Sequence, residues 1–150
     1  MRFIGDYTAK TDAKGRVFLP AAFRKVLGKE EEARLVLRTD VFQKCLVLYP
    51  ESVWNVILDG FKAKLNVWNK EHQMVLRKFV ADAELVELDG NGRFLISKGK
   101  LAYADIKDDV RFLAMDDRIE VWSKESLNAI TSDSSQLGEE MQSILGDMTF

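Results

Sequence analysis

Two short stretches carry a recurring pattern able to do chemistry: Asp12-Ala-Lys-Gly-Arg16 and Asp89-Gly-Asn-Gly-Arg93. In each, a carboxylate and a guanidinium flank a glycine-containing turn. An arginine beside a tight turn holds a planar donor fork that matches phosphate oxygens, or the O6 and N7 acceptors of guanine. The same spacing fits an internal ion pair, Arg16 with Asp12 and Arg93 with Asp89, and spacing alone leaves both readings open. They are compatible, because a carboxylate that orients the guanidinium leaves donors over. Lys10, Lys14, Arg24 and Lys25 surround the first turn in sequence and are candidates for phosphate contacts that position a protein without reading bases. Each taken singly is also an ordinary solvated cation. Lys98 and Lys100 are the corresponding candidates after the second turn. The formal net charge is only -2, but its distribution is uneven. Cations dominate from Lys10 to Lys29, while acids gather in Glu30 to Glu32, in Asp105 to Asp117 and near Glu139. That separation predicts one basic face.

Catalytic chemistry finds little support. Neither turn has the Gly-x-x-x-x-Gly-Lys-Ser/Thr or Gly-x-Gly-x-x-Gly spacing that sets a helix N-terminus on a phosphate. One histidine, His72, and one cysteine, Cys45, cannot build a Cys/His metal cage. No nucleophile stands at a recognisable spacing from a base. The chain is therefore expected to be no enzyme and to use no cofactor, no metal and no small-molecule substrate. Cys45, within Cys-Leu-Val-Leu, reads as a small buried thiol, and His72 as a surface or half-buried helix residue. The N-terminus lacks a signal-peptide pattern, and no segment approaches the roughly 20 apolar residues that cross a bilayer. A cytoplasmic protein with no membrane partner is expected.

The elements that must position these turns come from an internal repeat. Thr11 to Leu19 matches Leu88 to Ile96, with the Asp, the Gly before the Arg, and the Arg in register. The same register sets Arg34, Leu35 and Val36 against Arg111, Phe112 and Leu113. Leu46 to Glu51 falls against Ile119 to Lys124 after a length difference. Each half then reads as strand, tight turn, strand, short helix, strand, strand, with a helix behind. Gly15, Gly92 and Asn91 suit turns, and the Asp side chains can accept from backbone two residues on. Pro20 and Gly28 bracket a helix over Ala21 to Leu27. Ser97 is a candidate N-cap for a helix from Lys98 to Ala104, and Asp105 stands where the first copy has Gly28. Between the halves, Val53, Trp54, Ile57, Leu58, Phe61 and Leu65 fall at helical spacing. Val75, Leu76, Phe79 and Val80 form a second apolar face after Asn69, a candidate cap. Leu137, Met141, Ile144 and Leu145 give a weak amphipathic pattern near the end.

The Asp12 to Arg16 element followed by Leu19-Pro-Ala-Ala-Phe-Arg24 resembles the signature of MraZ proteins. The second element at Asp89 to Arg93, and the strands ending in Tyr49 and Trp122, occupy corresponding places, so the resemblance covers nearly the whole chain. It implies an α+β, mainly β fold: a tandem pair of SpoVT-AbrB-like halves forming a swapped-hairpin β-barrel with peripheral helices. On that reading residues 1–53 and 82–130 are the halves, 54–81 the connecting helices, and 131–150 a mobile tail. The resemblance also implies a ring-like homo-oligomer, associated with the nucleoid, that binds short direct repeats in double-stranded DNA. The site implied is the promoter of the division and cell-wall gene cluster. Arg16 and Arg93 would be its DNA contacts, with Asp12, Gly15, Asp89 and Gly92 shaping the turns. Departures from the family pattern lie in the second half, at Ser97, Lys100 and Asp105. A non-catalytic structural oligomer that binds protein is the rival reading.

Overall fold

The computed structural model describes residues 1–28 and 34–146; Lys29 and the acidic run Glu30 to Glu32 lie outside the described residues. The first repeat contains β1 (Asp6–Lys10), β2 (Arg16–Phe18), α1 (Ala21–Leu27), β3 (Arg34–Thr39), β4 (Leu46–Pro50) and α2 (Glu51–Ala63). After α3 (Lys70–Ala81), the second contains β5 (Glu84–Glu87), β6 (Arg93–Leu95), α4 (Lys98–Tyr103), β7 (Asp109–Met115), β8 (Arg118–Ser123) and α5 (Lys124–Thr131). A final helix, α6, runs from Leu137 to Leu145, and its side chains are exposed or half-buried.

Six strands form one antiparallel sheet in the order β1-β7-β8-β4-β3-β5, and β2 pairs with β6 as a separate ribbon. Exchanging the two repeats reverses that order onto itself, so a pseudo-twofold axis passes between β4 and β8. The first strand of each repeat pairs with the third strand of the other: β1 with β7, β5 with β3. The closed barrel expected from the sequence is corrected to an open sheet. Its edges β1 and β5 do not pair with each other, and β2 and β6 pair apart from it as the ribbon.

Local chemistry explains the turns. Asp12 Oδ1 accepts from the backbone N–H groups of Lys14 and Arg16, and Asp89 Oδ1 accepts from those of Asn91 and Arg93. Gly15 and Gly92 take φ of 89° and 85°, where an L side chain is strained. Each glycine carbonyl then accepts from the other repeat: Ile96 N–H to Gly15 O at 2.9 Å, and Leu19 N–H to Gly92 O at 3.0 Å. Helix α1 spans the residues its Pro and Gly brackets predict. Asp105, at φ 56°, ends α4 in the left-handed region that Gly28 uses after α1. Ser97 holds the N-cap position of α4, but its side chain makes no capping bond. Asn69 does cap α3, accepting from Glu71 and His72 N–H groups.

The core draws on both repeats. Val17, Leu19, Phe23, Leu35, Leu37, Leu46 and Leu48 from the first pack with Phe94, Ile96, Val110, Phe112, Ile119 and Val121 from the second. On the sheet's other face, α2 and α3 cover Val36, Val47 and Tyr49 through Trp54, Ile57 and Phe79. This double coverage is why β3 and β4 read as almost unbroken apolar runs. Leu127 of α5 covers Cys45 and Trp122 in the same way.

The repeat register shifts along the chain. In β3, Leu35 and Leu37 take the inward places that Val110 and Phe112 take in β7. The match of Arg34 to Arg111 read from the sequence is therefore two residues out, and Arg34 corresponds to Asp109. The cross-strand pairs bear this out, since Lys10 faces Asp109 and Glu87 faces Arg34. A two-residue error keeps the inward and outward faces, so alternation alone could not reveal it.

Candidate nucleic-acid interface

Antiparallel pairing sets Arg16 opposite Leu95 and Phe18 opposite Arg93, with Val17 and Phe94 between them. Val17 and Phe94 point into the core, and Phe94 packs edge-on against Phe112 at 6.3 Å. Strand alternation therefore turns Arg16, Phe18, Arg93 and Leu95 to the outer face of the ribbon. The two arginines, 77 residues apart in sequence, are brought onto one small surface by β2–β6 pairing.

Each guanidinium is held by its own turn. Arg16 Nε donates to Asp12 Oδ2 at 2.7 Å, and Arg93 Nε donates to Asp89 Oδ2 at 2.9 Å. Among the described residues, no hydrogen bond engages the terminal nitrogens of either arginine. Of the two readings left open by the spacing, the ion pair exists, and it leaves the outer edge of the fork available. The backbone N–H of Arg16, aided by its side chain and by the Lys14 N–H, holds the Asp12 carboxyl below the usual carboxylate range. The Arg93 backbone, then the Asn91 N–H and the Arg93 side chain, do the same for Asp89. Both carboxylates are charged at neutral pH and fix the guanidiniums in place.

The flanking cations divide. Lys14 at the turn tip, Lys25 on α1 and Lys98 at the start of α4 are exposed. Lys10 is exposed but lies 3.6 Å from Asp109, since β1 pairs with β7. That pairing brings the acidic stretch beside the first turn, so the single basic face expected from the sequence is interrupted there. Arg24 belongs to the second turn instead of the first. A Cβ at residue 92 would collide with the Arg24 side chain, whose Cζ lies 2.9 Å from that point. Among the described residues, its Nε is buried without a hydrogen-bond partner. In the mirrored position, Leu101 of α4 lies against Gly15.

Lys100, a candidate contact in the sequence, is turned inward and away from solvent. It is 6% exposed, and its Nζ donates to Glu84 Oε1 at 2.7 Å and to the Asp82 carbonyl at 2.9 Å. The repeat shows why: Lys100 stands where the first half has Phe23, and Glu84 where it has Tyr7. The Tyr7–Phe23 edge-to-face contact, 5.2 Å between ring centres, is replaced by an ion pair.

The remaining chemistry-bearing side chains are occupied. Burial, reinforced by the nearby Glu120 and Asp40 charges, pushes the Cys45 thiol far up, so it stays protonated and unreactive. His72 is half-buried and accepts the Asn66 N–H on Nδ1 at 2.9 Å. Phe18 and Leu95, both 53% exposed, share the outer face with the arginines. Sequence reasoning passed over them as strand residues, although alternation from the inward Val17 and Phe94 was a readable signal.

Fold and site together define a tandem-repeat protein whose two halves share one sheet and present a pair of carboxylate-held arginines on a cross-repeat ribbon. The MraZ protein family model matches the chain twice, over residues 2–78 and 79–143. The chain is 53% identical to the transcriptional regulator MraZ of Phocaeicola vulgatus over 97% of its length and 95% of that protein's. It is 48% identical to that of Bacteroides fragilis, covering 97% and 92%, and 32% identical to that of Clostridium tetani, covering 95% and 98%. The chain belongs to the MraZ family.

Proposed function

We propose that this chain is a sequence-specific, double-stranded-DNA-binding transcriptional regulator. It works as a ring-like homo-oligomer on short direct repeats in the promoter of the division and cell-wall gene cluster. The observation that carries the reading is the pair of Asp-held arginines on the outer face of the β2–β6 ribbon, with Lys14, Lys25 and Lys98 exposed as further cations. A two-stranded ribbon is narrow enough for the major groove, where an oriented guanidinium reads guanine. The relatives' names, transcriptional regulator MraZ, support the regulatory role. Oligomerisation is supported by the small size of the site and by exposed apolar side chains such as Phe42 and Trp68, each 89% exposed. Cytoplasmic, nucleoid-associated action accords with this role, and among the described residues no helix is long and apolar enough to cross a membrane. The same exposed side chains would serve a protein-binding scaffold. Selection of bound sites from random duplex DNA, followed by titration of the enriched duplex with the Arg16→Ala variant, separates the two. Enrichment of spaced repeats, with affinity lowered by about 1 to 3 kcal/mol per engaged contact in a variant that still folds, is the regulator's outcome. No enrichment, or unchanged affinity, removes the reading or removes Arg16 from it.

A further inference from the structure

We propose that Phe18 and Leu95 read thymine through its C5-methyl group, next to the bases contacted by Arg16 and Arg93. The inference rests on the DNA-binding reading above and goes past it by assigning a specificity element. The outer face of the ribbon is a two-by-two patch. Arg16 sits across from Leu95 and Phe18 across from Arg93, so each strand carries one arginine and one apolar residue. Two residues of strand span about 6.8 Å, which equals about two base-pair steps along one DNA strand. An arginine on guanine thus places the apolar neighbour on its strand over a base about two steps away. In the major groove the apolar feature at base edges is the thymine methyl.

Three observations favour duplex DNA as the occupant of this apolar strip. The strip is bordered on both sides by guanidiniums whose terminal nitrogens are unengaged among the described residues. Lys14 and Lys98 stand exposed at neighbouring positions. The ribbon is also anchored by Val17 and Phe94 in the core, so its outer side chains are held at fixed spacing. The Arg93 guanidinium lies 5.8 Å from the Phe18 ring centre, which couples the cation to the apolar surface.

The test exploits uracil, which differs from thymine by the methyl alone. Sites selected by the full-length protein are resynthesised with each thymine in turn replaced by deoxyuridine, and affinity is measured by fluorescence anisotropy. For the wild-type protein, one or two positions near the arginine-contacted guanines should lose about fourfold, the equivalent of about 0.8 kcal/mol for one buried carbon. Phe18→Ala should bind the thymine duplex at the reduced level and become indifferent to uracil at its position. Leu95→Ala should do so at a different position. Both residues are half-exposed, and circular dichroism and solution mass check that fold and assembly are kept; Phe18→Ser and Leu95→Ser serve as second variants. Selected sites without thymine beside guanine, or a wild-type protein indifferent to every uracil, overturn the proposal. So does a variant that loses equally on both duplexes, which makes Phe18 a support for Arg93, or one whose mass changes, which makes the strip a contact between copies. If the wild-type protein binds no duplex DNA at all, the parent reading falls, a result distinct from binding without methyl sensitivity.

Discussion

At the residue scale, Asp12 and Asp89 are as informative as the arginines they hold. Each carboxylate accepts two backbone N–H groups through one oxygen and the Arg Nε through the other, so one residue shapes the turn and aims the cation. Asp12→Asn separates these duties. The amide oxygen still accepts the Lys14 and Arg16 backbone, while the amide nitrogen cannot accept from Arg16 Nε. The variant should melt close to wild type, since exposed pairs contribute little. Its specific DNA affinity should fall by about 0.5 to 1.5 kcal/mol, the entropy of re-ordering a free arginine on binding. Anisotropy on the selected duplex checks this, and affinity equal to wild type would mean Asp12 does not position Arg16. Because both carboxyls are depressed in the folded state, what they contribute is complete above the ordinary value near 3.8 and is lost only as pH falls through their lowered folded values. The turns should therefore hold the arginines identically from pH 5 to 8.

At the element scale, the repeat offers a control within one chain. Where Tyr7 of β1 meets Phe23 of α1, Glu84 of β5 meets Lys100 of α4. Truncating one member of a buried pair leaves the other charge without a partner, whereas replacing both with well-packed apolar residues is often neutral or stabilising. Glu84 is half-exposed, which lowers the penalty. Lys100→Ala should destabilise by about 1 to 3 kcal/mol in chemical denaturation. The double variant Glu84→Tyr with Lys100→Phe, which copies the first half into the second, should recover most of that loss. A double variant less stable than the single would show that the second half cannot accommodate the first half's aromatic pair.

At the scale of the whole molecule, neither half pairs all of its own strands or encloses its own core. β1 finds its hydrogen bonds on β7, β5 on β3 and β2 on β6, and the main core mixes side chains from both repeats. A fragment of residues 1–80 would leave β1 and β2 without partners and Leu35, Leu37 and Phe23 without the second half's share of their core. It should be unfolded, or should dimerise by lending these strands to a second copy. A monomeric fragment melting cooperatively by circular dichroism would contradict that. The proposed oligomer belongs to the same scale. One ribbon carries two arginines, too few contacts to separate a promoter from the competing sites of a genome. Linking identical subunits raises the effective concentration of neighbouring ribbons over adjacent repeats. Affinity for duplexes with one to four copies of the selected element should rise by more than the statistical factor. It should drop when half a helical turn is inserted between copies, and weaken steeply with salt. If one copy binds as tightly as four, the subunits act independently.

The features legible in the sequence are those fixed within a few residues. The Asp-to-Arg turns, the bracketing of α1 by Pro20 and Gly28, and the Asn69 cap depend on short-range backbone hydrogen bonds and φ preferences, which residue type decides directly. The repeat was legible because two copies of such a turn recur in register. Tertiary structure alone decided what depends on partners far along the chain. It placed Arg16 and Arg93 on one face, moved Arg24 onto the other repeat's turn, and buried Lys100 against Glu84. It also left the sheet open instead of closing it. Strand pairing between repeats is set by the packing of both halves at once, and a local pattern of period two is satisfied equally by any even shift of register. The sequence could therefore name the turn that aims each arginine, but not the neighbours that the arginine would have.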